Sequence, residues 1–304
     1  GLTVSGFFMR TFFLFQPVHL EVFLWTLCLL MIIKYINTGR ASFLIYFGLA
    51  AGFALLNKYL AGLLFLGLLI IIPFTRYRTI FTNRHFWSGI IAGALIFLPN
   101  LIWQAVNGFP VFSHISELYD TQLVHMNAGV FFTEQLFMPF AGSIFTVSGL
   151  VYILFSKEAG RFRFPGLLAI FVILALFALK GKSYYTLGIM PMLIAAGGAA
   201  YDRWFRNRIL RIAFPLSVIL IALPGVPGGL PVWNKEGLRT YYADLEEKYG
   251  ADFGRRFEDG SIHSLPQDYA DMIGWEEFAR LADSAYSMIE DKTSALIYAE
   301  NYGQ

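Results

Sequence analysis

Residues 42–74 read SFLIYFGLAAGFALLNKYLAGLLFLGLLIIIPF. Two apolar runs, 42–56 and 60–74, lie on either side of Lys58, the one charged residue of the stretch. Each is a candidate membrane segment, yet each is short of the roughly 20 residues a spanning helix needs. The pair is therefore expected as two tilted helices, or as a hairpin that does not fully cross. Similar runs follow one another outward from it, at 18–33, 86–105, 128–155, 164–179, 185–200 and 209–226. A partial run lies before residue 15. The total is about nine membrane segments. Backbone groups in hydrocarbon must be satisfied within the segment, so these are expected to be helices rather than open strands.

Composition agrees. The 304-residue chain is 57% hydrophobic and 14% charged, where soluble domains run at about a quarter charged. Aromatic residues make up 17%, with 31 Phe, a bias that suits lipid-facing helices. The formal net charge of +2 is too small to imply a nucleic-acid partner. A single cysteine, Cys28, excludes an intrachain disulfide and a multi-cysteine metal cluster.

The loops carry an orientation signal. Lys34 and Arg40, then Arg76, Arg78 and Arg84, then Lys157, Arg161 and Arg163, then Arg203, Arg206, Arg208 and Arg211 occupy every second connection. The connections between them hold Lys58, Lys180 and Lys182. The positive-inside rule predicts that the arginine-rich loops are cytoplasmic. The chain after Pro227 is then extracytoplasmic.

That tail differs in kind. A Gly/Pro run at 225–231 marks an expected boundary between a transmembrane domain, 1–226, and a soluble domain, 227–304. Helices are predicted at 238–249 and 271–289, the second with Trp275, Phe278, Leu281, Ala282 and Tyr286 on one side, and a strand at 294–299. The fold class expected is mainly α: a polytopic helix bundle with a small extracytoplasmic α/β tail. The first residue is Gly1 and the first apolar run is partial, so a longer protein is expected to precede it. A cut after the 294–299 strand is expected too.

The orientation sorts the unusual residues. Lys58, Lys180 and Lys182 are basic on the side where the rule disfavours bases. They suit a phosphate headgroup, or they snorkel to the interface. Tyr184 and Tyr185 follow directly, as phosphate donors or as members of an aromatic belt. Glu21, near His19 and Gln16, sits at the outer end of its span; it binds sugar hydroxyls, pairs with a lysine, or complements the helix dipole. The loop 106–127 lacks Lys and Arg but holds His114, Glu117, Asp120 and His125. His114 and Glu117 share a face if the loop is helical, suiting acid–base work, a metal site or simple solvation. Arg10, near the outer face, is a further candidate or an anchor. The chain contains no HExxH, P-loop, Rossmann glycine pattern or nucleophile elbow.

Several segments taken together resemble a known family. They are Phe15-Gln16-Pro17-Val18-His19-Leu20-Glu21-Val22-Phe23-Leu24-Trp25; Gly48 through Gly52 to Asn57-Lys58-Tyr59; Leu98-Pro99-Asn100-Leu101-Ile102-Trp103-Gln104 with Asn107-Gly108-Phe109-Pro110; Gly181-Lys182-Ser183-Tyr184-Tyr185 with Pro191; and Asn301-Tyr302-Gly303-Gln304. In order and spacing they resemble the bacterial family 39-type glycosyltransferases, relatives of the protein O-mannosyltransferases and of the lipid A aminoarabinose transferase. The resemblance implies a GT-C fold in the bacterial inner membrane. It implies a polyprenyl-phosphate sugar donor and an acceptor hydroxyl that attacks the anomeric carbon on the outer face. Glu21 falls at the family's active-site acid, Lys58 and Lys182 at its basic residues, and Tyr185, or Tyr184, at a tyrosine touching the donor phosphate. The family's catalytic carboxylate lies in a first outer loop that would precede Gly1, so no catalytic base is named. No cofactor is implied, with a divalent metal left open; the acceptor is a lipid, glycan or protein. A transporter or lipid flippase is the alternative, and would need ionisable groups at mid-membrane depth or a broken-helix repeat.

Overall fold

The structure, a computed structural model, describes residues 5–296 apart from 15, 251, 253, 258 and 259. The chain divides into two compact units, Gly1–Val232 and Trp233–Gln304.

The first unit is a helix bundle. Its elements are α1 (Gly6–Phe13), α2 (Pro17–Thr38), α3 (Ser42–Asn57), α4 (Ala61–Ile71), α5 (Arg84–Val106), α6 (Pro110–Thr121), α7 (Ala128–Phe137), α8 (Ser143–Phe155), α9 (Arg163–Ala178), α10 (Met190–Trp204), α11 (Arg208–Ala222) and α12 (Val226–Gly229). α2 begins with Pro17, whose missing N–H costs nothing there. It ends at Gly39 with φ 69°, a conformation glycine adopts freely. α2 lies at the centre, packing on α3, α4, α10 and the 183–189 turn. Its Trp25, Cys28 and Leu29 are buried, as are Leu44 of α3 and Leu168, Ala169 and Val172 of α9.

Glycines set the helix spacing. Gly48 and Gly52 of α3 face Gly89 and Gly93 of α5, and a Cβ on any of the four would overlap the partner backbone. Gly149 of α8 and Gly197 of α10 make a second such crossing. Lipid gives no hydrophobic drive for helices to associate, so close backbone packing between small residues supplies it.

The connections gather at two ends. At the basic end Arg161 donates to Asn37 Oδ1 at 2.8 Å, and the Tyr77 hydroxyl donates to the Arg161 carbonyl at 2.9 Å. At the other end, the Lys58 end, Asn57 Nδ2 donates to the Pro17 carbonyl at 3.0 Å.

By length and composition, four helical stretches are long and apolar enough to cross a membrane: Pro17–Thr38, Arg84–Val106, Gly160–Ala178 and Arg208–Gly229. This is fewer than the nine segments expected, for three reasons. The 128–155 run is broken into α7 and α8 with an 80° bend, a fifth span at most. The run at 185–200 is a tight 3-10 turn, Ser183–Ile189, before α10 starts. The segments flanking Lys58, α3 and the Ala61–Phe74 stretch, are shorter apolar helices; sixteen residues rise only about 24 Å against a core of about 30 Å.

The Gly/Pro run expected as a linker is ordered. It forms a 3-10 turn, Leu223–Gly225, and α12, which packs on α1. A Cβ on Gly229 would meet the Gly6 carbonyl at 2.9 Å.

The second unit holds α13 (Lys235–Tyr249), α14 (Gln267–Ala270) and α15 (Trp275–Ser287). Leu238, Tyr242, Leu265 and Tyr269 form its core. Among its described residues no strand occurs; the β structure is one antiparallel bridge, Arg256 to Ile262. Of the strand expected at 294–299, residues 297–299 lie outside the described residues and 294–296 are not in a strand. The 301–304 motif also lies outside them.

Candidate functional site

At the Lys58 end, α3 stops because Lys58 turns extended, φ −161° and ψ 127°. The turn aims its side chain back across α2. Lys58 Nζ lies 3.1 Å from Glu21 Oε2, and Glu21 is 2% exposed against 26% for Lys58. Glu21 is thus the buried floor of the pair and Lys58 its accessible face. Glu21 Oε1 is buried without a hydrogen-bond partner among the described residues. A lone carboxylate there would cost several kcal/mol, on the order of 3–5, so Lys58 is what makes it tolerable.

Two tyrosines close over the lysine. Lys58 Nζ sits 4.0 Å from the centroid of the Tyr185 ring and 5.5 Å from that of Tyr184. Lys182 Nζ lies 6.0 Å from the Tyr184 ring. Cations above aromatic faces gain about 0.5–2 kcal/mol each. Both ammonium groups thus lie within about 6 Å of the Tyr184 ring.

The tyrosines stand on the Ser183–Ile189 turn, which is pinned from two sides. The Thr186 hydroxyl donates to Gln135 Oε1 at 2.7 Å, and Gln135 Nε2 donates to the Ser183 carbonyl at 3.3 Å. Upstream, α9 ends in a Schellman motif: Gly181 N donates to the Leu176 carbonyl at 2.7 Å and Lys180 N to the Phe177 carbonyl at 3.1 Å. The left-handed position, usually glycine, is Lys180 with φ 54°. Its ammonium lies 5.3 Å from the Tyr119 ring of α6, away from the Glu21–Lys58 pair.

A third network braces the Lys58 turn. The Tyr59 hydroxyl donates to Asn100 Oδ1 at 2.5 Å and accepts from Gln104 Nε2 at 2.9 Å. Gln104 Oε1 accepts from Val111 N at 3.3 Å, at the start of α6.

The structure thus brings together Glu21, Lys58, Lys182, Tyr184 and Tyr185. It does not add His114 and Glu117. Both are exposed on α6, and among the described residues neither is hydrogen-bonded or ion-paired to the cluster. No group of three His, Cys, Asp or Glu among the described residues is arranged for a metal. The side chain of His125 lies outside the described residues. Arg10 is half-buried on α1. Sequence reasoning missed Gln135, Asn100 and Gln104 as supports. The signal available was an amide in an otherwise apolar helical run, which must find a partner.

Residues 2–103, about the first third of the chain, match the family described as dolichyl-phosphate-mannose-protein mannosyltransferase. The match spans Glu21 and Lys58 and stops before Tyr184. No curated protein and no solved structure matches the chain.

Proposed function

From a chain whose first third carries the signature of a GT-C membrane glycosyltransferase, we propose that the enzyme takes a sugar from a polyprenyl-phosphate donor. It passes that sugar to a lipid, glycan or protein hydroxyl on the extracytoplasmic face of a bacterial inner membrane. The observation that carries this reading is the Lys58 ammonium, held 3.1 Å from buried Glu21 and 4.0 Å from the Tyr185 ring, at the end of the bundle that is poor in basic residues.

The chemistry follows. The acceptor oxygen forms a bond to the anomeric carbon while the bond from that carbon to the phosphate oxygen breaks. The electron pair of the broken bond goes to the phosphate, whose charge rises towards −2. Donors aimed at that developing charge accelerate the step. Lys58 and Lys182 supply ammonium groups and Tyr185 or Tyr184 a hydroxyl. Glu21 touches Lys58 rather than substrate and acts as a positioning residue; at 2% exposure it is too buried to take the acceptor's proton. That proton leaves to a base outside this cluster.

The test is transfer in vesicles containing the protein and radiolabelled polyprenyl-phosphate sugars. Lys58→Ala should lose transfer at least about a hundredfold and Tyr185→Phe about tenfold, as removal of charge-stabilising donors does. Flux of the lipid across the bilayer without sugar transfer would instead support the transporter.

A further inference from the structure

A cavity of about 240 Å³ lies between α3, α4 and α5, and its lining, unlike the Glu21–Lys58 pair, carries no charge. Every residue lining it is apolar or glycine, from Phe97 and Leu55 down to Ile80, Phe81 and Phe86. α4 packs on α9 while α5 packs on α3, which leaves the face between α4 and α5 to the cavity. Its rim carries Leu69 and Ala94, both exposed, in helices whose outward faces are lipid-facing in composition. A cavity of this kind stays dry. Open to a bilayer, it takes a hydrocarbon chain.

The basic end of the cavity is chemically distinct. Ile80 and Phe81 belong to the 3-10 turn Arg78–Thr82, and Phe86 follows Arg84 by two residues. Arg78 and Arg84 are exposed, and residues 72–106 contain no acidic side chain. Among the described residues, Arg76 is the one of the three whose guanidinium is engaged, donating to the Tyr77 hydroxyl at 3.1 Å. Two exposed guanidinium groups with no acidic partner among the described residues therefore lie within two or three residues of the side chains that line the basic end of the slot. Guanidinium pairs with phosphate through a two-pronged geometry.

We propose that this groove is a binding site for an anionic phospholipid, with one acyl chain between α4 and α5 and the headgroup phosphate on Arg78 and Arg84. The headgroup position is at the basic end of the groove, opposite the end where Phe97 meets the Tyr59 ring at 5.8 Å beside Lys58, and it does not depend on the transfer reaction. Two guanidinium groups beside an apolar groove favour a lipid of net negative charge over a zwitterionic one.

Native mass spectrometry of the protein exchanged into mixed micelles tests it, with phosphatidylglycerol and phosphatidylcholine of identical chains as probes. The wild type should retain phosphatidylglycerol at least about tenfold over phosphatidylcholine. The Arg78→Gln/Arg84→Gln double variant, altered only at exposed positions, should level that ratio. Ala94→Trp, which fills the rim from an exposed position, should lower retention of both lipids. Equal retention in the wild type, an unchanged ratio in the arginine variant, or full retention in Ala94→Trp overturns the proposal. So does displacement of bound phosphatidylglycerol by polyprenyl phosphate at equal concentration, which would assign the groove to the donor's tail.

Discussion

Glu21 and Lys58 should behave as an unequal couple, and a double-mutant cycle exposes the inequality. At 3.1 Å their Coulomb attraction is roughly 5 kcal/mol with an effective dielectric near 20. Most of that is offset by desolvation, and the offset falls on the deeper partner. Glu21 is 2% exposed and Lys58 26%. Lys58→Met strands a buried carboxylate and should cost about 3 kcal/mol. Glu21→Gln leaves an ammonium that reaches water and should cost about 1 kcal/mol. The double variant should cost less than Lys58→Met alone, because the stranded charge has gone, giving a coupling of about 1–2 kcal/mol. The assay is reversible denaturation in bicelles, followed by the near-ultraviolet signal of the buried Trp25. Additive single effects, or Glu21→Gln costing more than Lys58→Met, would refute the argument that Glu21 is the floor of the pair.

Other outcomes follow from the same structure. Gly48→Ala should cost about 2 kcal/mol, because its Cβ overlaps the α5 backbone, while Gly62→Ala, with open space around it, should be neutral or stabilising by about 0.5 kcal/mol; thermal melts of the two separate them. Lys180→Gly should raise stability by about 1 kcal/mol, since φ 54° favours glycine; a loss would mean that the cation above Tyr119 outweighs the strain. In the second unit, hydrogen bonds from Ser294 and Thr293 hold the Asp291 carboxyl down at about 2, against 3.8 ordinarily. A lowered folded-state value means that its contribution is present above about pH 4 and is lost as pH falls through 2. Carboxyl-carbon NMR should find a midpoint near 2, and a midpoint at 3.8 would contradict the local hydrogen bonding.

The membrane character and most helix positions were legible because they rest on long apolar runs. Expected runs at 18–33, 42–56, 86–105, 164–179 and 209–226 each lie within or largely overlap an observed helix. The breaks were not legible. Pro139 stands at the α7–α8 break, but a proline does not by itself set an 80° bend, and the tight turn at 183–189 is held by hydrogen bonds with Gln135, 48 residues before Ser183. The Gly/Pro run at 225–231 has linker composition, yet its missing side chains are what let α12 approach α1. The glycine pairs 48/52 and 89/93 were present to be read as a close helix crossing, although spacing alone does not say which helices meet. For the site, opposite charges at unusual depths pointed to Glu21 and Lys58, because each is expensive alone. His114 and Glu117 had spacing without depth, and α6 leaves both in solvent.

We propose that Lys58 receives the donor's phosphate. Equilibrium binding of polyprenyl phosphate to the protein in nanodiscs, beside the phosphate-free polyprenol, tests it most directly. A charge-assisted contact contributes about 1.5–3 kcal/mol, so Lys58→Gln should weaken polyprenyl phosphate binding by at least about tenfold and leave polyprenol unchanged. Equal affinity of wild type and Lys58→Gln for polyprenyl phosphate would mean that Lys58 does not hold the phosphate.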